Sequence, residues 1–239
     1  AELTELQQRL NAALRGECQL VAVGGDAGVG KSRLLDELES LARARDIRVL
    51  HGRFVEQHGA FPYIGFCEVI QDFFRQKDAG GSSSSGPVDL SDLADELVAL
   101  FPMLAEVDAI RGALSRVPRP DAAGEARGAE GRTEVFELLA RTLTRLSAGR
   151  PLVVLFEELH GAEVSLEALQ YIVRRLGPTP TLFAGTYRVT EVDRRHPISQ
   201  MLQAFHGDRR FVSLTLGPLS RSEHRKFLST LTGGSDVSA

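Results

Sequence analysis

The sequence predicts an α/β fold in which a five-stranded, mostly parallel sheet lies between two layers of helices. Two features of the 239-residue chain predict it: short apolar runs rich in β-branched residues recur, and amphipathic helical segments separate them. Strands that alternate with helices in this way pair in parallel and are joined by right-handed crossovers. The five predicted strands cover residues 20–23, 47–54, 151–158, 181–188 and 211–216.

Helices are predicted where apolar residues recur at spacings of three and four. Residues 2–14 have this pattern, with Leu6 and Leu10 on the apolar face. Leucines have the same helical spacing over residues 90–104, and we expect Pro102 to disturb the last turn of this helix. The other predicted helices cover residues 32–45, 64–74, 132–146, 164–176 and 198–205, and a last one begins near residue 220.

A glycine-rich segment between the first strand and the next helix reads G-x-x-x-x-G-K-S from Gly25 to Ser32. Glycines at positions 25, 28 and 30 permit a backbone whose N–H groups point inward at a phosphate. The helix that follows adds its positive N-terminal end. Lys31 would reach the outer phosphates, and the Ser32 hydroxyl would hold magnesium. The alternative is a glycine-rich turn without a ligand. The candidate nucleotide contacts here are Gly25, Asp26, Ala27, Gly28, Val29, Gly30, Lys31, Ser32 and Arg33.

Two acids, Glu157 and Glu158, end the third predicted strand, whose continuous apolar run indicates burial on both faces. In phosphate-loop nucleotidases the strand beside the loop ends in acids. Magnesium there needs a carboxylate, and the attacking water needs an acceptor for its proton. Glu157 is the candidate for magnesium and Glu158 for the water. The alternative is a solvated strand end or the first turn of a helix.

The fourth predicted strand ends in Thr186, Tyr187 and Arg188. The carboxyl ends of parallel strands share one edge with the phosphate loop, so Thr186 and Arg188 are candidates to lie near the γ-phosphate. The arginine would stabilise developing charge there, and its alternative is a surface position at the start of a loop. Arg194 and Arg195 either act on a neighbouring molecule's nucleotide or are solvated.

Composition excludes several classes of function. The chain is 43% hydrophobic and 25% charged, and it lacks an apolar run of the roughly 20 residues that a membrane span needs. We see no export signal and expect a cytoplasmic protein that binds no membrane. The net charge is −4 and no block of lysine and arginine occurs, so we expect no nucleic acid partner. Of the six histidines, only His160 lies beside the candidate acids.

Four segments together resemble the AAA-related domain of STAND signalling ATPases. They are the phosphate loop from Gly24 to Leu35, the acidic strand end running into Leu159-His160-Gly161-Ala162-Glu163, the strand end Gly185-Thr186-Tyr187-Arg188, and Leu216-Gly217-Pro218-Leu219-Ser220. The resemblance covers nearly the whole chain. It implies a P-loop NTPase three-layer sandwich that binds ATP or ADP with Mg²⁺.

The resemblance also implies a function and assigns residues to it. Domains of this family lie in large bacterial proteins, between an effector domain and helical sensor repeats, and slow ATP hydrolysis switches them between closed and oligomeric states. Flanking effector and sensor domains, and self-association, are therefore the partners implied. The catalytic candidates are Lys31, Glu158 and Arg188, the metal candidates are Ser32 and Glu157, and Thr186 joins the nucleotide contacts.

The chain departs from the family at its acids. Family members commonly have at least one aspartate where Glu157 and Glu158 stand, and a glutamate is one methylene longer, which changes magnesium geometry and water placement. Weak or absent hydrolysis is therefore one expectation, and a non-hydrolysing, nucleotide-dependent scaffold or oligomerisation module is the alternative function. A small-molecule kinase is a third interpretation, for which the sequence offers no second acceptor constellation.

The domain division follows from these assignments. We expect a nucleotide-binding domain over residues 1–217, with a helical insertion at about 60–131 and flexible connectors at about 79–87 and 117–131. Residues 218–239 are expected to begin a helical lid that the sequence leaves truncated. The abrupt ends of the chain suggest a fragment of a longer protein.

Overall fold

The computed structural model describes residues 2–54, 62–78, 88–114, 129–147, 149–161 and 163–218. Its centre is one sheet of five parallel strands in the order β2-β3-β4-β1-β5. The α/β fold predicted from the sequence is confirmed, and every pairing among the described strands is parallel. The strands are β1 (Gln19–Gly25), β2 (Arg48–Arg53), β3 (Leu152–Glu157), β4 (Thr181–Tyr187) and β5 (Phe211–Leu216).

Most helices fall close to the predicted segments, but the helix predicted over residues 90–104 is shorter and covers only Ala94–Leu100. The first helix and β5 have the predicted bounds, and the helix Ile64–Asp78 extends four residues beyond the predicted end at residue 74. The helices are α1 (Glu2–Leu14), α2 (Lys31–Arg43), α3 (Ile64–Asp78), α4 (Ala94–Leu100), α5 (Asp108–Arg111), α6 (Ala129–Ser147), α7 (Glu163–Arg175) and α8 (Pro197–Ala204), and short 3₁₀ turns cover Pro102–Glu106, Leu159–Gly161 and Val189–Glu191.

The expected place of the acidic strand beside the phosphate-loop strand is wrong. Strand β3 pairs with β2 and β4, and β4 lies between β3 and β1. Strands β3, β4 and β1 are all buried almost throughout, so their apolar runs suit any interior position and do not encode the order. The carboxyl ends of all three strands still share one edge of the sheet.

The pleat divides the apolar side chains of each strand between two helical layers. In β3, Val153 and Leu155 face the layer that contains α1 and α2. Leu152, Val154 and Phe156 face the opposite layer, which contains α3, α4, α6, α7 and α8. The side chains of both cores are almost inaccessible to solvent, and they hold the sheet and its carboxyl edge in place.

The helical segment between β2 and β3 packs on the second layer. Helix α4 ends at Leu100 because Phe101, which precedes Pro102, leaves the helical conformation (φ −128°, ψ 83°), as the proline predicted. The predicted connector at 79–87 lies outside the described residues, and so do residues 117–128 of the second connector. Residues 129–131 of that connector are helical in the structure, because α6 begins at Ala129. The limits predicted for the insertion and for the lid at 218–239 stay predictions.

Helix α3 covers the exposed edge of strand β2 with a row of polar side chains. Glu68 and Asp72 accept hydrogen bonds from the backbone N–H groups of Arg53 (2.7 Å) and His51 (3.0 Å), and Gln76 donates to a β2 carbonyl at 2.8 Å. Four residues of helix advance about 6 Å and two residues of strand about 6.6 Å, so this spacing keeps the two elements in step. Backbone N–H and C=O groups at the edge of β2 that would otherwise be unpaired thus have hydrogen-bond partners.

None of the helices within these described segments is long and apolar enough to cross a membrane.

We predict that Gly52→Ala destabilises the fold by about 2 kcal/mol or more. A Cβ at Gly52 would lie 2.2 Å from the carbonyl oxygen of Gly65, where β2 and α3 meet. Urea unfolding measures the change in the free energy of unfolding. Gly217→Ala is the control, because a Cβ there meets nothing within 4 Å, and its expected effect is within about 0.5 kcal/mol. Equal stability of the two variants would contradict the close contact.

Candidate functional site

The phosphate loop connects the buried end of β1 to the start of α2. Its glycines have positive φ angles, 157° at Gly25, 79° at Gly28 and 98° at Gly30, where other residues would be strained. A Cβ at Gly25 would lie 2.8 Å from the carbonyl oxygen of Leu216 at the end of β5. The loop therefore fits closely against the sheet on one side, while Asp26, Ala27 and Gly28 are exposed on the other.

Lys31 closes the loop on itself. Its Nζ donates hydrogen bonds to the carbonyl oxygens of Gly25 (2.8 Å) and Asp26 (2.7 Å). The pKa of Lys31 lies below its usual value because partial burial, and then the positive charge of Arg188, disfavour the charged form. Arg188 of the β4 end is thus close enough to act on the loop lysine. An anion placed between the two cations would be attracted by both.

Ser32 and Glu157 line the same cleft, which has a volume of about 570 Å³ and lies between α2, α3 and the ends of β2 and β3. Strand β4 separates β3 from β1 in the sheet, yet α2 crosses the sheet and brings Ser32 to the cleft at the end of β3. The predicted metal pair therefore shares one cavity. Asp36, Glu39, Glu68 and Asp72 add four more carboxylates to the lining.

Arg53 forms an ion pair with the carboxylate of Glu157. Its Nε lies 2.8 Å from Glu157 Oε2, and its Nη2 forms a second short contact with the same oxygen. The two residues are directly opposite each other in the β2–β3 register, so their side chains project to the same face. The sequence argument missed Arg53. The signal was available, because Arg53 ends β2 in the same way that a polar residue ends β4.

Glu158 turns away from Glu157 because its backbone is left-handed, with φ of 55°. That conformation costs a non-glycine residue about 1–2 kcal/mol, and it points the second acid toward β4. The N–H of Glu158 lies 3.4 Å from Thr186 Oγ1, and its Oε1 lies 3.6 Å from Arg188 Nη2. The two acids thus contact residues on opposite sides of β3: Glu157 contacts the end of β2, and Glu158 contacts the end of β4.

A chain of polar contacts continues from Arg188 to His160. Arg188 Nη1 donates to Glu191 Oε1 at 2.6 Å, and Glu191 Oε2 lies 2.8 Å from His160 Nε2. The arginine holds the pKa of Glu191 below its usual value, and burial lowers the pKa of His160. The His160 side chain is only 9% exposed, and within the described residues its buried Nδ1 has no hydrogen-bond partner.

The structure brings most of the candidates together at one edge. Lys31, Glu158, Thr186 and Arg188 form one group, and Ser32 and Glu157 line the neighbouring cleft. The side chain of Arg33 does not join them, because it is 79% exposed and pairs with Glu37 along α2 at 2.8 Å. Its backbone N–H, in the first helical turn, is the part of Arg33 that remains a candidate.

The described residues hold no group of three or more histidine, cysteine, aspartate or glutamate side chains arranged for a metal ion. One hydroxyl and one carboxylate, Ser32 and Glu157, are nevertheless the kind of donor set that suits Mg²⁺, which keeps most of its ligands as water and substrate phosphate. These residues fit the metal that the resemblance implies, provided that phosphate supplies further ligands.

One comparison with known proteins, the match to a family model, gives the kind of domain. The family model described as AAA ATPase domain matches residues 1–183. No curated protein matches the sequence. Among solved structures, Trip13 of Rhizobiales is similar, with 13% identity and a TM-score of 0.42 over 99% of this chain and 68% of that chain.

Two further solved structures are similar at comparable levels. Drosophila ORC bound to DNA is 11% identical, with a TM-score of 0.38, over 93% of this chain and 96% of that chain. The flagellar accessory protein FlaH from Methanocaldococcus jannaschii is 12% identical, with a TM-score of 0.36, over 84% of this chain and 73% of that chain.

The family match spans well over half of the chain and includes both the phosphate loop and the acidic end of β3. It agrees with a parallel sheet whose loop, acids and arginine meet at one edge. This chain is an AAA ATPase-type nucleotide-binding domain and belongs to the AAA ATPase domain family.

Proposed function

We propose that this domain binds ATP with magnesium, hydrolyses it slowly, and acts as a regulatory switch of the STAND class in a larger signalling protein. One observation carries the proposal: the phosphate loop, two acids and an arginine converge at the carboxyl edge of the sheet. Effector and helical sensor domains flanking it in a bacterial protein, and self-association, belong to the same proposal and rest on the resemblance of the sequence motifs.

Phosphate recognition follows from the loop. The N–H groups between Gly25 and Ser32, together with the N-terminal end of α2, would bind the negative charge of the phosphates. Lys31 would leave the carbonyl oxygens of Gly25 and Asp26 and contact the outer phosphates, because charged phosphate oxygens are stronger acceptors than neutral carbonyls. Arg188 would approach from the opposite side and report the γ-phosphate.

Ser32 and Glu157 would hold the magnesium ion. Bound there, the ion would neutralise charge that develops on the phosphates. Glu157 must first leave Arg53, and the pair costs little to open. Both side chains are about half exposed, and exposed ion pairs are worth about 0–1 kcal/mol.

Hydrolysis requires a water molecule that attacks the γ-phosphorus while the bond to the bridging oxygen breaks and ADP leaves. Glu158 would accept the proton of that water, and the hydroxyl of Thr186, 3.4 Å from the backbone N–H of Glu158, would help to hold this residue in position. Arg188 would stabilise the charge on the γ-phosphate oxygens. Slow turnover is part of the proposal, because Arg188 lies 3.6 Å from Glu158 and this contact must loosen before the carboxylate can face the water.

A non-hydrolysing scaffold is the second candidate function. The observation that favours it is that each acid already faces an arginine, Glu157 with Arg53 and Glu158 with Arg188. If these pairs persist in the nucleotide complex, the domain binds ATP or ADP as a structural ligand and releases no phosphate.

We predict that Lys31→Ala weakens ATP binding about ten- to hundredfold, the loss expected for a charge-assisted hydrogen bond of about 1.5–3 kcal/mol. Calorimetric titration with ATP and ADP in magnesium measures it. Lys77→Ala is the matched control, because Lys77 is an exposed lysine of α3, and its affinity should equal that of the unaltered protein. Equal affinity of Lys31→Ala and the unaltered protein would rule out phosphate binding at this loop.

We predict that Glu158→Gln lowers phosphate release about 10²-fold and leaves ATP affinity within about threefold, because an amide cannot accept the proton of the water. Phosphate release under saturating ATP measures the rate. Glu163→Gln, an exposed position at the start of α7, is the control and should keep the full rate. A protein that binds ATP but releases no phosphate, with or without Glu158, would favour the scaffold.

A further inference from the structure

We infer that His160 is a positioning residue that fixes Arg188 through Glu191, and that it thereby sets the contact of the arginine with the γ-phosphate. The inference deepens the proposed function and rests on it for the role of Arg188. The contacts that carry it are the 2.8 Å pair between His160 Nε2 and Glu191 Oε2 and the 2.6 Å pair between Glu191 Oε1 and Arg188 Nη1.

The two oxygens of Glu191 make this carboxylate a bridge. One oxygen accepts from the arginine and the other from the histidine, so a shift of the imidazole moves the carboxylate and the guanidinium with it. Glu191 and Arg188 are nearly half exposed, at 45% and 43%, whereas His160 is 9% exposed. The histidine is therefore the rigid end of the chain, and the two exposed side chains depend on it for a fixed geometry.

Packing holds the imidazole in place. His160 lies in the 3₁₀ turn Leu159–Gly161, and Leu159 is completely buried. A Cβ at Gly185 of β4 would lie 2.6 Å from Leu159, so only glycine lets this turn approach the strand that leads to Arg188. The sequence thus provides the space that brings His160 next to Glu191.

The imidazole of His160 destabilises the folded protein at this position. Its Nε2 faces a carboxylate and therefore carries the proton, which leaves Nδ1 as an acceptor. That atom is buried and lacks a partner in the described part of the chain. An unpaired buried polar atom destabilises the folded protein, so packing alone would favour an apolar side chain at this position. The hydrogen bond from the Nε2–H group to Glu191 explains why a histidine is present at this position.

Four variants test the inference, with rates and affinities measured as kcat and KM for ATP hydrolysis. His160→Ala is expected to lower kcat about tenfold, because the arginine loses its fixed position, and His160→Gln should restore it to within about twofold. The amide nitrogen of glutamine reaches the place of Nε2, whereas the shorter His160→Asn cannot reach Glu191 and should resemble His160→Ala. His206→Ala, an exposed histidine after α8, is the control and should keep the full rate.

A double-mutant cycle separates positioning from a general structural role. In the Arg188→Ala background, His160→Ala should change kcat by less than about twofold, since its effect passes through the missing arginine. A merely structural histidine would instead lower kcat and the melting temperature to a similar extent in both backgrounds, without rescue by glutamine. That outcome would overturn the inference.

A measurement without nucleotide keeps the inference independent of the proposed function. NMR of the Arg188 side-chain Nε–H, assigned by its loss in Arg188→Lys, should give the same signal in His160→Gln as in the unaltered protein and a shifted signal in His160→Ala. An unchanged signal in His160→Ala would refute the positioning role even if ATP is hydrolysed. If the unaltered protein binds no ATP, the proposed function fails, and this signal still decides whether His160 positions Arg188.

Discussion

The parallel direction of all five strands is the constraint on which the rest of the structure depends. It places every strand's carboxyl end at one edge, so residues separated by more than 150 positions in the chain meet there, from Gly25 to Arg188. The phosphate loop follows β1, Arg53 ends β2, the two acids end β3, and Thr186 and Arg188 belong to the end of β4. Two apolar cores on either side of the sheet keep this edge rigid.

The charges at this edge are paired in ways that a ligand can exchange. Lys31 bonds carbonyl oxygens of its own loop, Arg53 bonds Glu157, and Arg188 bonds Glu191 and approaches Glu158. The arginine–glutamate pairs are exposed to water and individually weak, so in the proposed function phosphate and magnesium would compete with them readily. The family to which the chain belongs implies nucleotide binding, and the pairing indicates how the groups are held before a nucleotide arrives.

Local patterns in the sequence predicted much of the fold, and long-range order was beyond them. The phosphate loop, the ends of α1 and the bounds of β5 follow from spacing and turn residues. The strand order did not follow, because interior parallel strands are apolar throughout and thus interchangeable in pattern. The left-handed backbone of Glu158 could not be predicted from the sequence either, since a glutamate rarely adopts this conformation and no glycine at the position indicated it. Arg53 escaped notice because its importance depends on its cross-strand partner, Glu157.

The most direct test of this account is a crystal structure of the domain with magnesium and a non-hydrolysable ATP analogue. The account predicts that Lys31 Nζ leaves the carbonyl oxygens of Gly25 and Asp26 for the outer phosphates, and that Glu157 leaves Arg53 and faces the metal together with Ser32. A complex in which the analogue lies elsewhere, or in which Lys31 stays on its own loop and Glu157 on Arg53, would contradict it.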